Sequence, residues 1–568
     1  MCGRSLIAAL AAAMSVLLAG ALSLPAFAQD NPAVEQVEDD PNAGGLEPAD
    51  QPAATPGAET PADAPADAAA VPADEAASPA VAAQPPVDAT PVVAAIRSKL
   101  QDPAIRKDAP AEDLAALEAF YNARGEPVWT TDMGFSSEAQ AVIDEIHEAD
   151  DWGLSATAFA TPDAGDLPDS LDHQASAEIK LNLAILKYAR HARGGRIDPA
   201  KLKNIDMRPT LREPKIVLAE IADAPEPALY LQSLHPQHEQ FQRLHQALLK
   251  ARAESEAGAK PPNLQKIVVN MERWRWMPAD LGTLYVWLNV PEYMAYIVKN
   301  GNTIHSEKMV VGKPVYATPV FSADLKSIVF NPEWTVPSTI IREDLLPRLR
   351  GGGGGFFGGG TSILKQHKLY VRYNGKKVDP GSIDWKRVNM GAVSFHQDPG
   401  PTNVLGKVKF LYPNRHSVYM HDTIKRELLN REVRSEGHHC PRVANPGKVA
   451  AVILAEDKGM PAAEVEKLLA KGYNSGVSIN GRVPVHTTYF TATVDAEGKV
   501  RTFADIYGMD GPTAAAIFGK EAKPEAVADN ADVAVPEVKP QPPKPQRPST
   551  VGTPNNAPQP AGFGAVAP

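Results

Sequence analysis

The sequence predicts an α+β protein in which an all-helical domain precedes a mostly β domain, between end segments that lack the composition of a packed core. Three observations predict it. Composition breaks sharply near both ends of the 568-residue chain, apolar residues recur at helical spacing from about residue 91, and short β-branched and aromatic runs take over from about residue 263. With 43% hydrophobic residues, a formal net charge of -11 and no basic tract, the chain offers nothing to nucleic acid, and its acidity mainly favours solubility.

At the N-terminus Arg4 supplies a positive residue, an apolar run extends from Leu6 to Leu24, and Ala26-Phe27-Ala28 forms a small-x-small pattern before Gln29. Residues 1–28 are therefore expected to be a cleaved signal peptide that takes Cys2 with it and delivers the chain to the periplasm. An uncleaved leader anchored in the inner membrane is the alternative, and no later segment is long and apolar enough to span a bilayer. Residues 29–90, rich in Ala, Pro, Asp and Glu with hardly an aromatic, read as a disordered tether, and the Pro-rich stretch 519–568 reads as a disordered tail.

The segment 91–262 reads as a helical scaffold. In AEIKLNLAILKYARHARGGRIDP the residues Leu181, Ile185 and Tyr188 share a helical face, Lys180, Lys187 and Arg190 point elsewhere, and Gly194-Gly195 ends the helix. PQHEQFQRLHQALLKARAE carries the same pattern. The histidines here, His191 included, read as packing or surface residues rather than ligands.

Over 263–518 the runs KIVVNMERWRW, TLYVWLNVP, YMAYIVKNG, KMVVGK and SIVFNP read as strands, and Asp495-Ala496-Glu497-Gly498 as a hairpin turn between two more. Trp274, Trp276 and Trp334 read as core residues. An insertion is expected over 343–400: GGGGGFFGGG removes side-chain restraint and makes an ordered core there unexpected, and the basic stretch HKLYVRYNGKKVD resembles a hairpin, so the whole suits a lid. A phosphate-cradling loop is excluded, because no Lys and Ser or Thr follow the glycines in P-loop register.

After loss of Cys2 one cysteine is left, Cys440 in GHHCPRV, a short segment downstream of His421 in VYMHDT. A lone thiol in an oxidising compartment makes no internal disulfide, and with a histidine nearby it is the sequence sign of a nucleophile and its base. The competing readings are a buried small hydrophobe beside a core histidine, and a zinc site built from His421, His438, His439 and Cys440. No familiar zinc spacing is present and a zinc-bound thiolate is a poor nucleophile, so no metal is expected, and no organic cofactor either.

The run FLYPNRHSVYMHDTIKRELLNREVRSEGHHCPRVANPGKVAAVIL resembles the YkuD-type catalytic domain of L,D-transpeptidases, which sets a histidine upstream of a Ser-His-Gly-Cys-x-Arg-like segment. NMERWRWMP, MVVGKPVYATP, FNPEWTVP, PGPTNVLGKVKFLYPN and DIYG extend the resemblance to the long periplasmic branch of YcbB type. The chain departs from that pattern at His439, where the family has Gly, at Gly437, where it has Ser, and at Pro441. Only ESEAGAKPPNLQ stands where the branch commonly carries a small peptidoglycan-binding module.

The resemblance implies Cys440 as nucleophile and His421 as general base and acid, with Asp422 or its main-chain carbonyl orienting the imidazole. The main-chain amides of His439 and Cys440 are the readiest oxyanion donors. Arg442 is suited to gripping a carboxylate or bracing the loop, and Tyr412, Asn414, Arg415 and His438 are further substrate-binding candidates. The family's substrates are peptidoglycan stem peptides: a tetrapeptide donor is attacked at its third residue, D-Ala leaves, and the third-residue amine of a neighbouring stem accepts, giving a 3-3 cross-link. The same thioester passed to water would make an L,D-carboxypeptidase or amidase, and passed to a protein lysine would attach outer-membrane proteins to the wall. A catalytically weak wall-binding scaffold is the non-enzymatic alternative.

Overall fold

The computed structural model describes residues 87–163, 170–259, 263–351 and 361–519. The expected signal peptide, nearly all of the tether and tail, and the glycine run after Gly351 lie outside these residues. Among the described residues no helix is long and apolar enough to cross a membrane.

The helical half is built on the central helix Leu171–Gly194, whose N-cap Ser170 accepts from the His173 amide and whose last turn ends at Gly195 with φ +89°. Around it pack helices Pro91–Lys99, Ala111–Ala123, Ser137–His147 and Pro214–Asp223, burying Leu117, Tyr121, Trp129, Ile143, Ile185 and Leu218 in one core. The expectation of helix alone needs a correction. Two-residue strands β1 (Thr130–Thr131) and β2 (Gly134–Phe135) pair with each other, and β3 (Ile205–Asp206) joins the sheet of the second domain.

The strand reading of KIVVNMERWRW is also corrected. Leu264–Arg275 is an α-helix capped by Asn263, whose side chain accepts from the Lys266 amide. It lies against helix Glu239–Glu256 and the β domain, so every residue from Ile267 to Arg275 is buried. Its successive β-branched residues Ile267, Val268 and Val269, followed by the aromatics Trp274 and Trp276, mimic a strand even though the segment also carries a helical apolar face.

The β domain is a twelve-stranded mixed sheet. Its strands are β3, β4 (Leu284–Asn289), β5 (Met294–Lys299), β6 (Asn302–Gly312), β7 (Val320–Asp324), β8 (Ser327–Phe330), β13 (Val408–Leu411), β14 (Met420–His421), β15 (Ser435–Gly437), β16 (Arg442–Val443), β17 (Ser475–Ser478) and β18 (Pro484–Thr488). They run in the order β17-β8-β13-β14-β16-β6-β5-β4-β18-β7-β3, with β15 also on β6. The alternation of β13 and β14 sends Val408, Phe410 and Met420 into the core with helix Pro446–Lys458, and Lys409 and His421 to the other face. The turn at 495–498 joins β19 (Ala492–Val494) to β20 (Val500–Thr502), with Gly498 at φ +79°.

The inserted segment forms a separate four-stranded sheet, β11 (Lys376–Val378), β10 (Tyr370–Tyr373), β12 (Val393–Gln397) and β9 (Trp334–Thr335). Its flanks build a core of their own from Val336, Leu349, Leu364, Val371, Trp385 and Phe395. The subdomain thus begins earlier than the expected residue 343, because Trp334 already pairs with Gln397. Trp274 and Trp276 are buried in the main core, and Trp334 packs on the inserted one.

Candidate active site

Cys440 sits on the turn between β15 and β16, half-buried and unpaired. β14 runs parallel to β16 with His421 opposite Arg442, and the His421 amide donates to the Pro441 carbonyl at 3.0 Å. Two sequence-distant segments, VYMH and HCPR, are thereby locked side by side. Tyr419 and Cys440 lie two residues before His421 and Arg442, and the Tyr419 main chain, Arg442 and Lys409 all act on the Cys440 thiol. A row across the strands follows, with Lys409 on β13 opposite His421.

His421 is buried, and its Nδ1 has no hydrogen-bond partner. Burial, then the Arg442 and Lys409 cations, hold its pKa down to about 3, while main-chain groups of Asp422 and Leu405 act the other way. The imidazole is therefore neutral at ordinary pH. Burial likewise pushes the Cys440 thiol up, against the Tyr419 main chain, Arg442 and Lys409. Arg442 is partly buried, its Nε has no partner, and the groups that favour its charge are Cys440 and Tyr419.

Asp422 turns its carboxylate elsewhere. One oxygen accepts from the Lys407 amide at 2.8 Å, the other from the Thr423 amide at 2.6 Å and from Arg426 at 2.7 Å. Gly406, at φ +61°, makes this contact feasible, because a Cβ there would stand 2.4 Å from the carboxylate. Of the two Asp422 groups considered for orienting the imidazole, the main chain is the one that acts on the ring.

Among the described residues no hydrogen bond engages the amide of His439 or Cys440, so both are free to donate. The turn is held from behind: the His439 carbonyl accepts from Thr318 Oγ1 at 2.8 Å, the Gly312 amide donates to the same hydroxyl at 3.0 Å, and Tyr507 Oη donates to the Gly312 carbonyl at 2.6 Å. The imidazole of His438 stacks on Tyr316 at 4.4 Å and that of His439 meets its edge at 5.7 Å. Tyr316 donates to Glu343 of the inserted subdomain at 2.9 Å. The side chain at the family's glycine position is thus accommodated on Tyr316. At Gly437 a Cβ would stand 3.0 Å from the Val311 carbonyl, so glycine there eases the close pairing of β15 with β6, while the Arg442 guanidinium carbon lies at an ordinary 3.8 Å.

The remaining candidates divide. Tyr412 is buried with its hydroxyl unpartnered, and its pKa is driven up by burial and then by Cys440. Asn414 is consumed by its own loop, bonding the Tyr412 and Val418 carbonyls and the His416 and Val418 amides. Arg415 pairs with Asp206 of β3, as does His416 at 2.9 Å. These two fasten the loop to the end of the helical half. Sequence reasoning missed Lys409 and Tyr419: period-two alternation sets Tyr419 with His421 in VYMH and Lys409 apart from Val408 and Phe410 in VKFL, but only the β13–β14 register brings Lys409 to His421.

Residues 115–248 match the Scaffold domain family, and residues 283–458 match the L,D-transpeptidase catalytic domain family, YkuD. A Haemophilus influenzae protein named "Putative L,D-transpeptidase" is 30% identical over 246 residues, which cover 43% of this chain and 48% of that one. The chain thus spans about half the length of this relative. Its two matched regions coincide with the helical half and with the sheet that carries Cys440, so the chain joins a Scaffold domain to a YkuD-type L,D-transpeptidase catalytic domain, the arrangement of the YcbB-type branch.

Proposed function

We propose that the protein is a periplasmic L,D-transpeptidase that forms 3-3 cross-links between peptidoglycan stems through a Cys440 thioester. The observation that carries the reading is the β14–β16 pairing, which sets His421 beside the turn of Cys440 and aligns Arg442 with it inside the matched catalytic domain. Export rests on the leader-like sequence of residues 1–28.

In this reading Sγ attacks the carbonyl carbon of the donor's third residue while the neutral His421 takes the thiol proton. Negative charge moves to the carbonyl oxygen, where the amides of His439 and Cys440 donate. The C–N bond to D-Ala then breaks, His421 returns the proton to the departing amine, and the thioester remains. An acceptor amine attacks that thioester, loses a proton to His421 and expels Sγ, which is reprotonated. Arg442, unpaired by any carboxylate of the described residues, is placed to meet a carboxylate of the peptide. The inserted subdomain, touching the turn through Glu343 and Tyr316, shields the thioester from water.

Intact-protein mass spectrometry with a disaccharide-tetrapeptide, with and without a second stem, tests the reading. A Cys440-dependent acyl adduct, loss of D-Ala and a cross-linked dimer are expected. Tripeptide alone would assign hydrolysis, or transfer to a protein lysine once an outer-membrane protein is added. No adduct and no turnover would leave a wall-binding scaffold.

A further inference from the structure

Lys409 is the one charged residue of β13 that stands in register with the site, and nothing in the reaction sequence above uses it. It lies between core residues Val408 and Phe410, on the opposite face of the strand. Its Nζ rests 4.1 Å from the centre of the Tyr419 ring, and that ring lies 5.6 Å from the imidazole of His421. Among the described residues neither Lys409 nor Arg442 forms an ion pair or a side-chain hydrogen bond, whereas other partly buried cations are engaged: Arg273 of helix Leu264–Arg275 reaches Asp510 at 2.6 Å, and Arg434, without a carboxylate, donates to the carbonyls of Met309 and Tyr293 at 3.2 Å.

We propose that Lys409 supplies, together with Arg442, the positive counter-charge for the Cys440 thiolate. Two desolvated cations without a carboxylate are costly to keep unless an anion arrives, and the thiolate is the anion this face can produce. Three strands bring groups to the thiol: Lys409 from β13, Tyr419 and His421 from β14 and its approach, and Arg442 from β16, while the buried Tyr412 hydroxyl also feels its charge. Both cations favour the thiolate and both disfavour an imidazolium at His421. The negative charge on Sγ is therefore stabilised by fixed charges more than by a thiolate–imidazolium pair. Lysine suits the place, since its ammonium can lie over the Tyr419 face while its stem crosses the sheet.

The test is the pH dependence of Cys440 alkylation by iodoacetamide, in which the thiolate displaces iodide, followed at the Cys440 peptide by mass spectrometry. In Lys409→Met the midpoint moves up by about one pH unit and labelling near neutrality slows roughly tenfold. Lys409→Gln behaves alike, and Lys409→Arg stays within about threefold of the parent. Unchanged profiles in the neutral variants overturn the proposal, and a raised KM for the tetrapeptide with an unchanged profile assigns the lysine to substrate binding instead. Should both neutral variants unfold, the parent still decides: anionic iodoacetate must outpace iodoacetamide relative to free cysteine, and a ratio at or below that of free cysteine overturns the counter-charge. The inference rests on Cys440 as nucleophile, but labelling requires no turnover, so a failed transpeptidase assay and a failed counter-charge are separate results.

Discussion

Two buried polar clusters, one in each domain, are built on opposite terms. In the helical half the Glu178 carboxylate is buried and accepts from the amides of Val128, Trp129 and Thr130, from Thr130 Oγ1 and from Tyr121 Oη. Asn182 closes the cluster by donating to Tyr121 Oη and accepting from Trp129 Nε1. Around Cys440, by contrast, His421 Nδ1, Tyr412 Oη and Arg442 Nε are buried without partners. A satisfied cluster fixes a fold, whereas an unsatisfied one holds its groups ready for charge that arrives with a substrate. Burial alone does not separate them, because Glu272 and Arg275 also keep unpartnered atoms while lying only 3.8 Å apart as an ion pair. What sets the site apart is that its cations have neither a carboxylate nor a main-chain acceptor among the described residues, whereas Arg193, Arg196 and Arg434, also without a carboxylate, donate to carbonyls.

The sharpest way to break this comparison is to remove one group from each cluster. His421→Gln lowers the rate of acyl-enzyme formation by about 10²–10⁴-fold with no fall in Tm, because the imidazole makes no hydrogen bond through Nδ1. Glu178→Gln does the reverse. An amide nitrogen turned toward groups that now donate to the carboxylate costs about 1–3 kcal/mol of stability, and kcat of the folded fraction is unchanged. Thermal melts paired with single-turnover kinetics check both, and a Tm loss in His421→Gln equal to that in Glu178→Gln would erase the distinction.

Arg442→Met sharpens it further. The buried Nε without a partner disappears, so Tm stays level or rises, while acylation falls about tenfold or more. A drop in Tm would mean that the guanidinium braces the turn, the structural role that its sequence context also allowed.

How much of this was legible in the sequence follows the same division. The central helix could be read because Leu181, Ile185 and Tyr188 keep a helical face against a polar one, and the pairing of Cys440 with His421 could be suspected from residue type alone. Helix Leu264–Arg275 is misread, because its β-branched run Ile267-Val268-Val269 carries the residue types of a strand and outweighs a helical periodicity that is present. The fate of Asn414 and Arg415 could not be read, because their partners are the local loop and Asp206, 209 positions from Arg415. The inserted core was hidden because its apolar residues are split by the glycine run and brought together only by the β9–β12 pairing.

The pH response separates the clusters by a smaller margin. His421 has its pKa lowered to about 3, so it stays neutral in the folded protein while an unfolded chain binds a proton below the usual histidine value. Its share of stability is complete above about pH 6.5 and is lost as pH falls from there toward 3, at up to about 1.4 kcal/mol per pH unit. Melts of His421→Gln should therefore lose less Tm than the parent between about pH 6.5 and 5. Acyl-enzyme formation should rise with pH through and beyond the ordinary thiol value of about 8.5, with no inflection near 6.5, because the thiol is pushed up and the imidazole is already neutral. An acid limb centred near 6.5 would show that His421 titrates as an exposed histidine does.

The smallest effect is expected where the two terms meet, at Tyr316. Its ring carries His438 by stacking while its hydroxyl reaches Glu343 of the inserted subdomain. Removing the hydroxyl alone, as Tyr316→Phe, leaves the stack and the turn held by Thr318, so the nucleophile keeps its position. What weakens is the tie between the turn and the subdomain that would keep water from the thioester. Acylation should then change by less than about twofold, whereas hydrolysis of the acyl-enzyme in the absence of acceptor should rise by about two- to threefold. Equal loss of both rates would place Tyr316 with the satisfied groups that merely hold the fold. A selective rise in hydrolysis would make it the point through which a folded subdomain governs the fate of the thioester.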